Sequence, residues 1–295
     1  METASRARIA LALGAVYVIW GSTYLAIRFT LETMPPFSMA GVRFLVAGSA
    51  LLAWCLIRGG AWPSRREWMA GLFTGTLMLL GGNGTVTWAE QHVASGVVAL
   101  VIGCVPIFIV CFEWMRRTGR RPTGIVVLGL TLGLAGVGLL VWPSDGHVAI
   151  DPVSVVVLLL GSCCWAAGSL LSREVGLPRS PLIATALQML GGGISLTLTG
   201  AIAGEWPRID PATVSLKSWL ALVYLMLFGS IVAFSCYAWL LRVTKPAVAV
   251  TYAYVNPLVA VALGALLANE PVTTHMIGAT VLIIGGVLAI TRQNK

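Results

Sequence analysis

Ten stretches of about 17–25 mostly apolar residues, long enough to cross a bilayer, follow one another along this chain. They lie near 8–28, 36–57, 68–89, 95–115, 122–142, 152–172, 181–203, 216–240, 246–268 and 275–291. Short polar punctuators separate them, among them Pro35-Pro36, Pro63-Ser64-Arg65-Arg66, Arg120-Arg121-Pro122, Asp151-Pro152 and Lys245-Pro246. Proline opening a segment suits the first helical turn, where its missing N–H costs nothing. Hydrophobic residues make up 58% of the 295 and charged residues 10%, whereas soluble domains carry roughly a quarter charged residues. A chain of this size cannot hide so much apolar surface in one core. The expected fold is all-α and integral to the lipid bilayer, with ten transmembrane helices.

The basic residues test that layout. With the N-terminus inside, the odd-numbered loops carry three, Arg28, Arg208 and Lys217. The even-numbered loops and both termini carry fifteen: Arg6, Arg8, Arg58, Arg65, Arg66, Arg116, Arg117, Arg120, Arg121, Arg173, Arg179, Arg242, Lys245, Arg292 and Lys295. By the positive-inside rule this puts both termini in the cytoplasm of a multi-pass protein of the cell (inner) membrane. A missed or spurious helix would scramble the alternation. The formal charge of +8 is thus a topology signal, and no nucleic-acid partner is expected. The first segment follows Arg6 and Arg8 but is too long for a signal-peptide core and lacks a small-x-small cleavage site, so it is read as retained.

A weak second copy runs through the sequence. At an offset of 145, Trp20, Arg28, Pro36 and Gly48 meet Trp165, Arg173, Pro181 and Gly193; at 151, Trp68, Ala70, Trp88 and Pro106 meet Trp219, Ala221, Trp239 and Pro257; at 149, Gly129, Thr131, Gly136 and Leu139 meet Gly278, Thr280, Gly285 and Leu288. Residues 1–145 and 146–295 are therefore expected to be two five-helix repeats. Five is odd, so the second copy enters the membrane from the opposite side. Inverted repeats of this kind enclose a midplane site in many secondary transporters.

Tryptophan favours the membrane interface, yet Trp20 and Trp165 fall mid-span and are repeat mates. A buried indole N–H wants an acceptor, and Thr23, Tyr24 and Ser169 stand near. These residues are expected to face a central cavity; helix–helix packing is the competing reading. The third segment holds Gly81-Gly82-Asn83-Gly84-Thr85, where Asn83 sits in a helix weakened by glycine, or the small residues simply allow close packing. The ninth holds Tyr252-Ala253-Tyr254-Val255-Asn256-Pro257, and Pro257, like Pro106 in the fourth, removes a backbone donor and predicts a kink. Tyr237 of the eighth segment joins the candidates. Arg43 is a charge inside a span, where charges are expensive: a link between helices, a contact to substrate or gate, and snorkelling all fit. Segments 5 and 10 are glycine-rich, and a homodimer through them is one expectation, packing within the bundle the other.

No catalytic constellation appears. The six cysteines lie within spans without metal or disulfide spacing; His92, His147 and His275 are scattered; and no Gly-Lys pair exists to build a nucleotide-binding loop. Neither enzyme activity, cofactor nor metal is expected. No Asp or Glu lies mid-span, so downhill export stands beside proton antiport.

Trp20-Gly21-Ser22-Thr23-Tyr24, Gly41-Val42-Arg43-Phe44-Leu45, Gly82-Asn83-Gly84, Val105-Pro106 and Tyr252-Ala253-Tyr254-Val255-Asn256-Pro257 resemble the EamA-type exporters of the drug/metabolite transporter superfamily, across essentially the whole chain. The resemblance implies a ten-helix inverted-repeat exporter of amino acids or related metabolites, its cavity lined mainly by helices 1, 3, 4, 6, 8 and 9. Glu270-Pro271 resembles the family's acidic residue before the last helix, here in an outside loop. The expected function is secondary export of a small-molecule substrate, most simply an amino acid, by alternating access. The alternative is a facilitative channel-like or structural membrane protein without alternating access.

Overall fold

The computed structural model describes residues 5–115, 123–141, 151–244 and 246–293, and among them every regular element is helical. We group these elements into ten helical runs. They are α1 (Arg6–Thr30), α2 (Pro36–Ile57), α3 (Arg65–Gly75, Thr76–Gly84 and Thr85–Ala89), α4 (Ser95–Ile102 and Val105–Met115), α5 (Gly124–Val141), α6 (Pro152–Leu171), α7 (Pro181–Ile202), α8 (Leu216–Tyr224, Leu225–Val232 and Ala233–Val243), α9 (Pro246–Ala249 and Tyr252–Ala268) and α10 (Thr274–Gln293). Six of the runs, α1, α2, α4, α6, α7 and α8, are long and apolar enough to cross a membrane, and shorter apolar stretches lie in α5, α9 and α10. In lipid a helix satisfies every interior backbone group within itself, which is why apolar length alone selects this architecture. The expected 145/146 boundary, Arg116, Arg117, Arg120, Arg121, Lys245, Lys295 and the side chains of Tyr254 and Arg292 lie outside the described residues.

Helix starts follow local chemistry. Ser64 and Glu67 form a capping box at α3, Asp151 accepts from the amides of Val153 and Ser154 at 3.2 and 2.9 Å before Pro152 opens α6, and Ser215 caps α8. Such side chains satisfy amides that the first turn leaves free. Just past α2 and α7 stand Gly59 and Gly204, with φ of +84° and +69°, a left-handed backbone that glycine adopts without strain.

Two caps come from far along the chain. Glu205, beyond α7, accepts from the amides of Phe37 (3.2 Å) and Ser38 (2.6 Å) at the start of α2. Glu270, beyond α9, takes Ser95 N (3.0 Å), Ser95 Oγ (2.8 Å) and Gly96 N (3.3 Å) at the start of α4. With Lys217–Glu32 at 2.6 Å and Ser218 Oγ donating to Phe29 O at 2.8 Å, they tie one end of the bundle together. A carboxylate on helix amides combines charge-assisted hydrogen bonds with a favourable dipole. Glu205→Ala and Glu270→Ala are each expected to cost about 1–2 kcal/mol, read as a lower thermal midpoint of the detergent-purified protein. An unchanged midpoint would show the caps to be dispensable.

Close packing rests on glycine. A Cβ on Gly71 or Gly75 of α3 would run into Leu187 or the Gln188 backbone of α7, and one on Gly191 into Leu72. Gly48 and Gly193 serve the α2–α7 contact in the same way. Helices α5 and α10 lie against each other, with Gly136 on Ile283 and Gly286 on the Gly129 carbonyl. Gly133, Gly136, Gly278 and Gly286 are thus packed inside the bundle, whereas Gly124, Gly138 and Gly285 have open space beside them. Further pairings put α1 against α8 and α9, and α6 against α3 and α4.

Candidate functional site

Four of the runs are irregular, and they surround one cavity. In α3 the segment Thr76–Gly84 is π-helical, and so is Leu225–Val232 in α8. A π turn widens the helix and shifts its carbonyls out of the usual ladder, which is why such turns recur at functional sites. Thr85 Oγ1 covers the Gly82 and Gly81 carbonyls at 2.6 and 3.0 Å, and Thr87 Oγ1 covers that of Asn83 at 2.7 Å. In α8 the Gly229 carbonyl is taken by the Trp20 indole N–H at 3.0 Å. The mid-span tryptophan of α1 therefore has its acceptor because α8 is distorted.

The other two runs are interrupted. α4 loses its helical form at Gly103–Cys104 and α9 at Val250–Thr251, in each case within about two turns before a proline. Pro106 and Pro257 cannot donate to the carbonyls of Ile102 and Ala253. The proline effect therefore appears as a break upstream, with Pro106 in the first turn of the resumed helix and Pro257 inside a continuous one. The breaks face each other: a Cβ on Gly103 would lie 3.4 Å from the Ala253 carbonyl. α9 is also tied to α1, with Tyr17 OH bonded to Thr251 Oγ1 at 2.6 Å. The Asn256 amide, oriented with Nδ2 as donor, reaches the carbonyls of Tyr252 and Tyr17, both at 3.1 Å.

Between these elements lies a cavity of about 70 Å³, room for a few waters. Its wall takes Trp20, Thr23 and Tyr24 from α1, Arg43 and Phe44 from α2, Asn83 and Val86 from α3, Ile102 and Val105 from α4, Trp165 from α6, Gly229 and Phe234 from α8, and Tyr252 and Asn256 from α9. Trp20 is the hub, with ring centroids of Trp165 at 5.5 Å, Tyr237 at 5.0 Å, Tyr252 at 5.0 Å and Phe234 at 6.4 Å. Several polar atoms here are buried without a partner: Asn83 Oδ1, Trp165 Nε1 and Arg43 Nη1.

Trp20, Thr23, Tyr24, Asn83, Trp165, Tyr252, Asn256 and Arg43 therefore line one space. Ser169 and Tyr237 do not. Both are fully buried behind the wall, with the Tyr237 hydroxyl donating to Ser169 Oγ at 2.9 Å; Tyr237 supports the two indoles rather than facing the cavity. Arg43 does not snorkel. Only 3% exposed, it donates through Nε to Ser230 Oγ at 2.8 Å and rests over Phe44, linking α2 to the π segment of α8.

The sequence reading missed the π segments, for which the glycines at 81–84 and 229 are the visible signal, and it missed Glu90. Glu90 lies one residue beyond the apolar segment 68–89, yet it is completely buried, and both carboxylate oxygens lack a hydrogen-bond partner.

Comparison with known proteins accords with this arrangement. The EamA-like transporter family matches residues 7–142 and again 153–292. The chain is 42% identical over 281 residues to the uncharacterized inner membrane transporter YedA of Escherichia coli K12, covering 95% of this chain and 89% of that one. It is 23% identical to the uncharacterized transporter YvbV of Bacillus subtilis, covering 100% and 95%, and 22% identical to the protein PecM of Dickeya dadantii, covering 92% and 88%. A solved crystal structure shares the fold, with a TM-score of 0.70 at 22% identity over 99% of this chain and 100% of that one.

Proposed function

The chain belongs to the EamA-like transporter family and is a multi-pass membrane transporter; on that footing we propose that it exports small metabolites, amino acids foremost, by alternating access through the Trp20–Trp165 cavity. In this reading ten helices cross the membrane as two inverted repeats, 1–145 and 146–295, with both termini cytoplasmic. The observation that carries it is the matched irregularity. The π segments of α3 and α8 and the breaks of α4 and α9 fall at corresponding places in the two halves, and all four runs meet the cavity. Distorted and broken helices at a repeat interface are where transporters bind their cargo. The double family match and helix pairings that exchange when α1, α3 and α4 are swapped for α6, α8 and α9 support the same two-fold.

The wall suits a zwitterion with a variable side chain. Arg43 Nη1 and Trp165 Nε1–H are free donors for a carboxylate, Asn83 Oδ1 is a free acceptor for an ammonium, and aromatic rings surround the remainder. The cavity admits only waters as described, so cargo enters as the helix ends part. Association of two copies would use the outer faces of α5 and α10, where Ile125, Leu134, Ile277 and Val281 are exposed and Gly138 and Gly285 have open space beside them.

Purified protein in liposomes preloaded with unlabelled amino acids should take up labelled ones by counterflow, saturably and in competition. An unsaturable conductance, or no uptake for any member of a panel spanning acidic, basic, apolar and aromatic side chains, would overturn this reading.

A further inference from the structure

We infer that Glu90 is a proton-binding group that holds the outer end of the cavity closed when protonated and so couples export to inward proton movement. The inference rests on the alternating-access reading above. Glu90 stands one helical turn beyond Val86 of the cavity wall, at the end of the bundle tied by Glu205 and Glu270. It is 0% exposed and neither oxygen meets a donor. The charged and titratable groups facing it are Tyr24 and Arg28 on α1, Arg43 on α2 and Glu270 before α10. None neutralises it directly. Arg28 Nη1 donates to the Glu90 backbone carbonyl at 2.7 Å, Arg43 Nε is held by Ser230, and Glu270 is a second acid, held on α4. His92, two residues on, is exposed and lies against Trp88, ring centroids 4.6 Å apart and planes tilted by 40°.

A carboxylate sealed from water without a hydrogen bond is disfavoured as the anion by more than the pull of Arg28 and Arg43 offsets, whereas the neutral acid avoids that penalty. The closed arrangement therefore holds a proton on Glu90. When the outer end parts and water reaches the side chain, the anion is tolerated and the proton is in exchange with the outside. When the inner end opens instead and water fills the cavity, Arg43, with Nη1 unpaired, favours the anion and the proton leaves inward. One proton is carried, and no other bond forms or breaks. The second repeat has no equivalent. At the offset of 151 that aligns Trp88 with Trp239, the mate of Glu90 is Leu241, itself 4% exposed. A carrier of two equal halves has no built-in direction, and a single carboxylate in one half makes only the outer closure proton-linked.

The test uses lipid-reconstituted protein without cargo, followed by infrared spectroscopy through a pH titration. Wild type should show the carbonyl stretch of a protonated acid at neutral pH, lost on alkaline titration; the band should be missing in Glu90→Gln and shifted in frequency in Glu90→Asp. Glu90→Gln should fold as wild type, because the amide copies the neutral acid. A band unchanged in both variants, or a Gln variant that does not fold, overturns the inference. In amino-acid counterflow, wild type should respond to an imposed pH gradient and Glu90→Gln should lose that response while exchange continues. Intact exchange with the same pH response in the variant sinks the coupling alone, whereas absence of counterflow in wild type sinks the transport reading and leaves the infrared result to decide on Glu90.

Discussion

Trp20→Ala is expected to abolish most saturable transport while leaving a folded protein. The Trp20 indole contacts four aromatic rings at 5.0–6.4 Å and gives its N–H to the Gly229 carbonyl at 3.0 Å. Truncation removes part of the cavity wall and leaves that carbonyl unpaired in a helix that is already irregular. Aromatic contacts of about 0.5–1.5 kcal/mol each and one hydrogen bond of about 1 kcal/mol together exceed the roughly 1.4 kcal/mol that equals a tenfold change, so transport per folded molecule should fall by at least about 10-fold. Folded yield should fall less, because Trp20 is partly exposed to the cavity rather than sealed in the core. Trp20→Phe keeps a ring but not the N–H, and should sit between the two. Counterflow normalised to the monodisperse fraction on gel filtration checks this. Transport and yield falling in the same proportion would reduce Trp20 to packing.

Gly75→Val should prevent folding outright. A Cβ there would overlap the Gln188 carbonyl oxygen, with the Gln188 carbonyl carbon at 2.7 Å and its Cα at 2.8 Å. Backbone meets backbone, so no rotamer relieves the clash. Helix α3 would have to withdraw from α7, undoing the neighbouring contacts of Gly71 with Leu187 and of Gly191 with Leu72. It would also strain the Gln188 Nε2 bonds to Thr74 Oγ1 and Ser172 Oγ, at 3.1 and 2.7 Å. Overpacking costs about 1–3 kcal/mol where side chains can yield and more where they cannot. Gly138→Ala is the control. Nothing lies within 4 Å of its Cβ position, and exchanging glycine for alanine inside a helix favours folding by about 0.5–1 kcal/mol. A Gly75→Val protein melting like wild type would mean that this helix crossing is looser than described.

Much of the bundle was legible because its causes are local. Pro36, Pro152 and Pro181 open helices where the punctuation predicts, and each predicted apolar segment from 8–28 to 275–291 corresponds to a helical run. The grouping of Trp20, Asn83, Trp165 and Tyr252 around one space was also anticipated, since polar and aromatic groups mid-span have few other places to go. Tyr237 and Ser169 were misplaced because composition cannot tell a wall from the layer behind it: one rotation about a helix axis exchanges them.

Sequence alone determined where the helical runs lie, most of their starts and the polar residues they carry, because a helix in lipid satisfies its interior backbone internally. Tertiary structure alone decided that Trp20 is paired to a carbonyl 209 residues away, that Gly136 and Gly286 pack in the α5–α10 contact, and that Glu90 is sealed from water. Burial depends on which distant segments converge, and that convergence is a property of the assembled bundle rather than of any stretch within it.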